Sequence, residues 1–208
     1  MKATRILSAL VLASLAATLP AQVQAMGGSS QRMSSTVFFF NQDFSSPGFL
    51  FLQYGQPSWK DEYDLQVEKA KGNAARLGKD YWASFETSCA LTLGGAKVAA
   101  GQYYLGIACS EKGEWTLVLF DAEKCRKNQL TPFMTADMVK QGTAVAVSAP
   151  MTYTKSEKSV EKLSIELAAD KKETGKGSLT LAWGKHQLSA PMVCEIAKEP
   201  KKADKKDG

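Results

Sequence analysis

Few side chains in this chain of 208 residues could transfer protons or hold a metal ion. The sequence contains one histidine, His186, in the stretch AWGKHQLSAP. A catalytic histidine needs a nucleophile or substrate within hydrogen-bonding distance and usually a carboxylate that orients it, and no acid lies near His186 in the sequence. Gly184 precedes it, between two stretches that alternate like strands. We therefore predict that His186 is exposed in a turn, with a structural hydrogen bond and catalysis as the alternatives.

Acidic residues occupy positions 61, 62 and 64, next to Trp59 and Tyr63. Carboxylates act on glycosidic bonds and aromatic rings pack on sugar faces, so this cluster could belong to a sugar-binding or sugar-cleaving groove. Three acids close together are also typical of the solvated start of a helix, which is the interpretation we favour. A glycan-acting hydrolase that uses Asp61, Glu62 or Glu86 is the alternative function.

A denser group of polar and aromatic residues lies in the stretches YGQPSW and RLGKDYW. Aromatic and basic side chains around apolar strands can line a concave site for an anionic or sugar-like ligand. They can equally pack at a sheet edge, where the stems of arginine and lysine cover aromatic rings. The predicted ligand-binding residues are Tyr54, Gln56, Trp59, Arg76, Lys79 and Trp82, with Tyr81 beside them. We identify no catalytic residue.

The four cysteines do not resemble a metal site. Their spacings are too long for a paired-cysteine zinc site, and one histidine cannot complete a usual ligand set, so we expect neither a metal ion nor a cofactor. An even number of cysteines in an exported chain indicates two disulfides, with three pairings open and free buried thiols as the alternative. The cysteines are Cys89, Cys109, Cys125 and Cys194.

The first 25 residues have the pattern of a secretory signal peptide. Lys2 and Arg5 precede an apolar run over residues 6–19, which is shorter than the ~20 residues that a membrane-spanning helix needs. Small residues follow, and cleavage is expected after Ala25, with Ala21 as the second choice. We therefore predict a periplasmic or secreted protein without a membrane span.

The formal net charge of +5 does not indicate a nucleic-acid-binding protein. Two cations belong to the predicted signal peptide, and the tail 198–208 contains five lysines against three acids, which leaves about +1 on the remaining chain. Proteins that bind nucleic acid usually concentrate basic residues on one face. The partner that we expect is instead a glycan, a small anionic ligand or another envelope component.

Alternation with a period of two residues dominates the sequence between these ends. Leu163, Ile165 and Leu167 predict a strand with one wet face, and WTLVLF, apolar on both faces, predicts a central strand. Only residues 61–77 and 121–141 lack the alternation, and each can hold a short helix. About nine strands with one or two short helical insertions favour an all-β fold, an antiparallel β-sandwich or an open barrel. We place a flexible lead-in at 26–35, a single domain at 36–197 and a disordered lysine-rich tail at 198–208.

Several stretches together resemble the uncharacterised secreted bacterial family called domain of unknown function 2911. They are YGQPSWKDEYD, RLGKDYW, LTLGGAKVAAGQYYLGI, EWTLVLFD, VEKLSIEL and LTLAWGKHQLSAP, between Phe49 and Pro191. The resemblance implies a single extracytoplasmic β-rich domain without an established activity. Many members have an arginine after the tryptophan that matches Trp82, and then an Asn-Glu pair. Here Ala83 follows, and only Glu86 could replace the acid, so no site is carried over from the family.

Overall fold

The computed structural model describes residues 31–196, which form ten β-strands and three short α-helices. The predicted signal peptide, 1–25, and the whole of the predicted tail, 198–208, lie outside the described residues. The helices are α1 (Asp64–Glu68), α2 (Ala122–Lys127) and α3 (Thr135–Gln141). The strands are β1 (Arg32–Phe39), β2 (Gly48–Gly55), β3 (Asn73–Arg76), β4 (Lys79–Thr87), β5 (Leu91–Leu93), β6 (Ala96–Val98), β7 (Gly101–Cys109), β8 (Trp115–Asp121), β9 (Val145–Ala169) and β10 (Lys176–Cys194).

All pairings between these strands are antiparallel. The strands form one sheet in the order β1-β2-β4-β7-β8-β9-β10-β5-β6, and β3 pairs with β7 next to the N-terminal end of β4. The sheet is not closed. The predicted all-β class is therefore confirmed, as are helices inside both segments that lack alternation, 61–77 and 121–141.

The long strand β9 joins two halves of the sheet, one formed by β1-β2-β4-β7-β8 and the other by β10-β5-β6. Its first part, up to Met151, pairs with β8, and its second part, from Thr152 to Ala169, pairs with β10. The two halves face each other, and the main core lies between them. Burial of this apolar surface is the dominant stabilising contribution. Leu52, Phe85 and Leu117 come from one half, and Ile165 and Leu181 from the other.

Side chains of β1 and β2 cover the edge of β9 that β8 leaves unpaired. The amide of Ile165 donates a hydrogen bond to the Tyr54 hydroxyl at 2.9 Å, and the amide of Leu167 donates to Ser35 Oγ, also at 2.9 Å. An unpaired backbone amide at a buried edge would cost free energy, so these hydroxyls stabilise the fold where no strand completes it.

A second apolar cluster lies on the outer face of the sheet, beneath α2 and α3. It contains Trp82, Val118, Phe120, Cys125 and Met138. Strand β8 contributes to both cores because its alternate residues point to opposite faces of the sheet. The predicted central position of β8, between β7 and β9, is confirmed.

Strand β1 begins at Arg32, inside the segment that we expected to be a flexible lead-in. The Arg32 guanidinium donates hydrogen bonds to the backbone oxygen of Trp82 at 2.6 Å and to that of Gln53 at 3.3 Å. Residues 32–35 therefore pair with β2 as part of the domain.

Among the described residues, none of the helices has the length and apolar character needed to cross a bilayer.

The four cysteines are free buried thiols, and none is at disulfide distance from another, so the expected disulfides are not observed. Cys125 lies in the outer cluster, whereas Cys89 and Cys194 are neighbours in the main core. Burial and, to a smaller extent, the neighbouring Cys89 together raise the pKa of Cys194 to about 12. Burial, together with the charge of Asp121, raises the pKa of Cys125 to about 11.

Candidate functional site

A cavity of about 330 Å³ lies between the segment around α1, strand β3 and the facing strands β7 to β10. We call it the apolar cavity, because most of its lining is aliphatic or aromatic. Pockets of a few hundred Å³ with such a lining and a few polar groups are typical small-molecule sites. It is lined by Tyr63, Gln66, Val67, Lys69, Ala70, Asn73, Ala74, Ala75, Leu77, Ile107, Trp115, Tyr153, Leu163, Leu181, Trp183, His186 and Leu188.

His186 lines this cavity, and the prediction of an exposed turn is wrong. Strand β10 is continuous from Lys176 to Cys194, but its register against β9 shifts on both sides of Gly184. Before the shift the buried residues are odd-numbered, as at Leu181, and after it they are even-numbered, as at Leu188 and Ala190. A β-bulge has this effect because it moves all following side chains to the other face. His186 therefore points inward, and its side chain is 11% exposed.

Both imidazole nitrogens of His186 have a hydrogen-bond partner. Nε2 lies 2.7 Å from Oδ1 of Asp64, and Nδ1 lies 2.9 Å from the hydroxyl of Tyr153. An ionised carboxylate only accepts hydrogen bonds, so Nε2 carries a hydrogen and donates it to Asp64. In the neutral imidazole Nδ1 is then the acceptor, and Tyr153 donates to it. Asp64 thus sets the tautomer that orients the Tyr153 hydroxyl.

The residues of this hydrogen-bonded chain come from three distant parts of the sequence. Asp64 is the first residue of α1, Tyr153 lies at the start of the second part of β9, and His186 follows the register shift at Gly184 of β10. Tyr153 and His186 lie on neighbouring strands, separated by one residue in the pairing register, where Leu188 pairs with Tyr153 and His186 with Lys155. Only the folded sheet and the segment that crosses it bring these three groups together.

Aromatic rings surround His186. Its ring centroid lies 5.4 Å from that of Trp59 and 6.0 Å from that of Tyr153, which in turn stacks on Trp115. Trp59 also packs edge-on against Trp183, at 5.0 Å. Aromatic pairs in these arrangements contribute stabilisation beyond their buried area, so these contacts stabilise the wall behind the imidazole.

Gly184 allows Trp59 to reach this position. Its φ is +59°, in the left-handed region that favours glycine, and a Cβ at this residue would collide with the indole ring of Trp59. The glycine that suggested a turn is therefore the residue at which β10 shifts its register and Trp59 makes a close approach.

A second cavity, of about 230 Å³, adjoins the apolar cavity. We call it the polar cavity, because its lining includes three charged side chains, those of Glu68, Lys71 and Lys155. The two cavities share Val67, Trp115, Tyr153 and His186 in their linings. Tyr153 and His186 thus stand at the boundary between an apolar and a charged environment.

The structure separates the six residues predicted to bind a ligand. Tyr54 and Gln56 bond to the backbone of β9, since the Gln56 amide donates to the oxygen of Leu163 at 2.9 Å. Trp59 lies in the aromatic wall against His186.

The other three predicted residues are not among those that line the two cavities. The guanidinium of Arg76 donates to the Asp80 oxygen at 2.8 Å and covers the ring of Phe133. Lys79 pairs with Gly55 at the start of β4, and Trp82 is 2% exposed in the outer cluster, where its ring stacks on Tyr104. Of the predicted set, the structure therefore brings only Trp59 next to His186.

The acids proposed for a hydrolase occupy the surface. Asp61 and Glu62 lie in an exposed 3₁₀ turn before α1, where Glu62 pairs with Lys60 at 3.4 Å, and Glu86 accepts a hydrogen bond from Gln102 on the neighbouring strand. None of the three is among the residues that line the two cavities. Of the acids at positions 61, 62 and 64, it is Asp64 that contacts His186.

Within residues 31–196, no group of three or more histidine, cysteine, aspartate or glutamate side chains is arranged to hold a metal ion. The chemistry available at the site is that of the carboxylate, imidazole and phenol of Asp64, His186 and Tyr153. Such a chain can donate or accept hydrogen bonds and can move a proton between its members.

Comparison with known proteins identifies the family of this chain, but no individual protein that matches it. Neither the curated proteins nor the solved structures contain a match to this chain. The sequence model of one family matches residues 42–192, which include Asp64, Tyr153 and His186 and cover most of the chain. The chain therefore belongs to the family described as "Protein of unknown function (DUF2911)".

Proposed function

We propose that this protein is a ligand-binding module of the cell envelope or the medium, and that its apolar cavity binds a small molecule with an apolar or aromatic body and one hydrogen-bonding end. The observation on which this proposal depends is the position of the Tyr153 and His186 polar atoms at one end of an otherwise mainly apolar cavity. Few polar groups placed in a largely apolar lining are what orient a ligand in such a site.

The size of the apolar cavity limits the ligand. At the ~30 Å³ that a water molecule occupies in the liquid, a volume of about 330 Å³ corresponds to about eleven non-hydrogen atoms. Flat rings fit the aromatic side chains of Tyr63, Trp115 and Trp183 in the lining. A bicyclic aromatic molecule has the appropriate size and shape.

The hydrogen-bonding end of the ligand would meet Tyr153. With the neutral imidazole as its acceptor, the phenol oxygen retains lone pairs that can accept from a ligand hydroxyl or amine. If His186 is protonated, both of its nitrogens donate, and the phenol hydrogen becomes free to donate to a ligand acceptor. The site can therefore present either polarity while Asp64 keeps the imidazole in place.

Export is part of this proposal, and residues 1–25 support it through their two cations, short apolar run and small residues before Ala25. Expression of the full chain in a bacterium, followed by fractionation and intact-mass measurement, tests it. We expect mature protein that begins at Met26 outside the cytoplasm. Uncleaved protein that stays in the cytoplasm would contradict export.

Titration calorimetry with naphthylmethanol as the probe tests ligand binding. Ala74 and Ala70 line the apolar cavity, so a larger side chain at either position would occupy its volume. We expect Ala74→Phe and Ala70→Phe each to lower the affinity at least about tenfold, or 1.4 kcal/mol. Ala136→Phe, at an exposed position on α3, is the matched control and should bind like the unsubstituted protein. Absence of binding to the unsubstituted protein, or equal binding by all variants, would refute the proposed site.

A hydrolase is the second candidate, and the Asp64–His186–Tyr153 chain is the observation that favours it. A carboxylate that orients an imidazole, which in turn contacts a hydroxyl, has the composition of a general acid–base relay. A panel of chromogenic esters and glycosides tests this function. Turnover that is lost in Tyr153→Phe and His186→Gln but kept in Asp61→Asn would support it, and no turnover of any substrate would count against it.

A further inference from the structure

The polar cavity contains two lysines without an ion-pair partner. Lys71 and Lys155 line it, and neither forms a salt bridge within the described part of the chain. Lys71 lies close to the thiol of Cys109, whose pKa burial raises and the Lys71 charge lowers. The side chain of Lys71 also extends over Gly113, because a Cβ there would lie 3.4 Å from its Cε. The ammonium group therefore lies along this cavity.

The charges that face the polar cavity sum to an excess of positive charge. Glu68 on α1 is the only carboxylate in its lining, against Lys71 and Lys155. Two further acids lie nearby: Asp64 accepts the hydrogen bond of His186, and the Glu111 carboxylate lies against Gly72, outside the lining of this cavity. A cavity lined mainly by one sign of charge raises the local concentration of the opposite ion.

The polar cavity continues from the polar end of the apolar cavity. Tyr153 and His186 line both, so a ligand whose body lies in the apolar cavity has its hydrogen-bonding end at the entrance to the polar one. We propose that the ligand is an amphipathic anion, with an apolar or aromatic body against Trp115 and Trp183 and an anionic group between Lys71 and Lys155. This inference rests on the proposed function and assigns the charge of its ligand.

Calorimetry with matched probes tests the charge. Naphthoate and naphthyl phosphate carry an anion on the same bicyclic ring as the neutral naphthylmethanol and the cationic naphthylmethylamine. We expect at least one anion to bind more tightly than the alcohol, and the amine more weakly than the alcohol. Tighter binding of one anion alone identifies carboxylate or phosphate as the group recognised.

Charge-neutralising variants test the position of the anion. Lys71→Met and Lys155→Met keep an apolar stem and should each lower the affinity for the tighter-binding anion about two- to fivefold, as expected for exposed charge pairs. Glu68→Gln should raise it by a similar factor. Lys185→Met, an exposed lysine of β10 that lines neither cavity, is the matched control and should have no effect. Binding of naphthylmethanol should be unchanged in all four variants, which also shows that they are folded.

The outcomes separate this inference from the proposed function. If the alcohol binds as tightly as both anions, or the lysine variants bind the anions like the control, the anionic ligand is refuted while the apolar site stands. If no probe binds, the proposed function itself fails. Weaker anion binding at higher ionic strength, without a change for the alcohol, supports the inference, because screening acts only on the charged group.

Discussion

Replacement of Asp64 should open the segment above the cavities while the sheet stays folded. Neither the 3₁₀ turn at Asp61–Tyr63 nor α1 contains a fully buried residue, and the ring of Tyr63, packed on Trp59 and Trp183, holds this segment together with Asp64. The bond from His186 Nε2 to Asp64 Oδ1, at 2.7 Å, joins α1 directly to β10. Asp64→Ala removes that bond and leaves the imidazole without its acceptor.

The magnitude follows from the type and exposure of the bond. Hydrogen bonds to charged groups contribute ~1.5–3 kcal/mol, and the lower end applies here because solvent reaches the half-exposed carboxylate of Asp64. A loss of about 1.5 kcal/mol from the local opening free energy corresponds to about tenfold faster exchange of the protected amides. The relevant amides are those of Lys69 and Ala70, which donate to Leu65 and Val67.

Amide hydrogen exchange measured by NMR provides the assay. Asp61→Ala is the matched control, because Asp61 is an exposed acid of the same segment whose side chain makes no hydrogen bond or ion pair within residues 31–196. We expect faster exchange at Lys69 and Ala70 in Asp64→Ala only, with the core amides of β8 unchanged. Equal exchange in the two variants would refute the structural role assigned to Asp64.

Three further predictions concern the fold. Tyr54→Phe leaves the buried amide of Ile165 without an acceptor and should lower the free energy of unfolding by ~1–3 kcal/mol in urea titrations. Tyr81→Phe, at an exposed ring, should leave that free energy unchanged. Equal effects of the two substitutions would contradict the role of the Tyr54 hydroxyl. Gly184→Ala should lower the free energy of unfolding more than Gly142→Ala. Both residues have a positive φ, which costs ~1–3 kcal/mol for alanine, but at Gly184 the new Cβ would also collide with the Trp59 ring. Equal losses of stability in the two variants would contradict this close approach. The third prediction concerns pH. The Cys125 thiol ionises near 9.0 when exposed, but burial raises its pKa to about 11 in the folded protein. Its contribution to stability is therefore fully present below pH 9.0 and decreases as the pH rises toward about 11. Under reducing conditions, urea titrations should therefore show a smaller loss of stability over this range in Cys125→Ala, and an unchanged pH slope would contradict the burial of this thiol.

The strand pattern was predictable because alternation with a period of two residues reports directly which face of a strand is buried. Leu163, Ile165 and Leu167 lie in the core as their spacing indicates, and the doubly apolar stretch WTLVLF forms the central β8. The same rule also indicates that His186 points toward the buried face of its strand. The buried residues change from odd to even numbers between Leu181 and Leu188, and His186 has the parity of the second set, which indicates a bulge within one strand.

The site itself depends on contacts that no local pattern reports. Asp64 and His186 are separated by 122 residues, and Tyr153 reaches the site only because β9 pairs with β10 beyond its bulge. The predicted ligand residues were chosen for their types, and Tyr54, Gln56 and Trp82 instead serve the edge of β9 and the outer cluster. Polar and aromatic residues stabilise an open sheet by the same interactions that bind ligands, so residue type alone does not distinguish the two roles.

The imidazole of His186 offers the most direct measurement, because it is the only histidine of the chain and gives one set of side-chain signals. Heteronuclear NMR of nitrogen-labelled protein, at a pH where the imidazole is neutral, should show Nε2 protonated and Nδ1 unprotonated. Saturation with naphthoate should shift both nitrogen signals, and Ala74→Phe should prevent this shift. Hydrogen on Nδ1 in the free protein, or bound naphthoate that leaves the His186 signals unchanged, would contradict a ligand site at Tyr153 and His186.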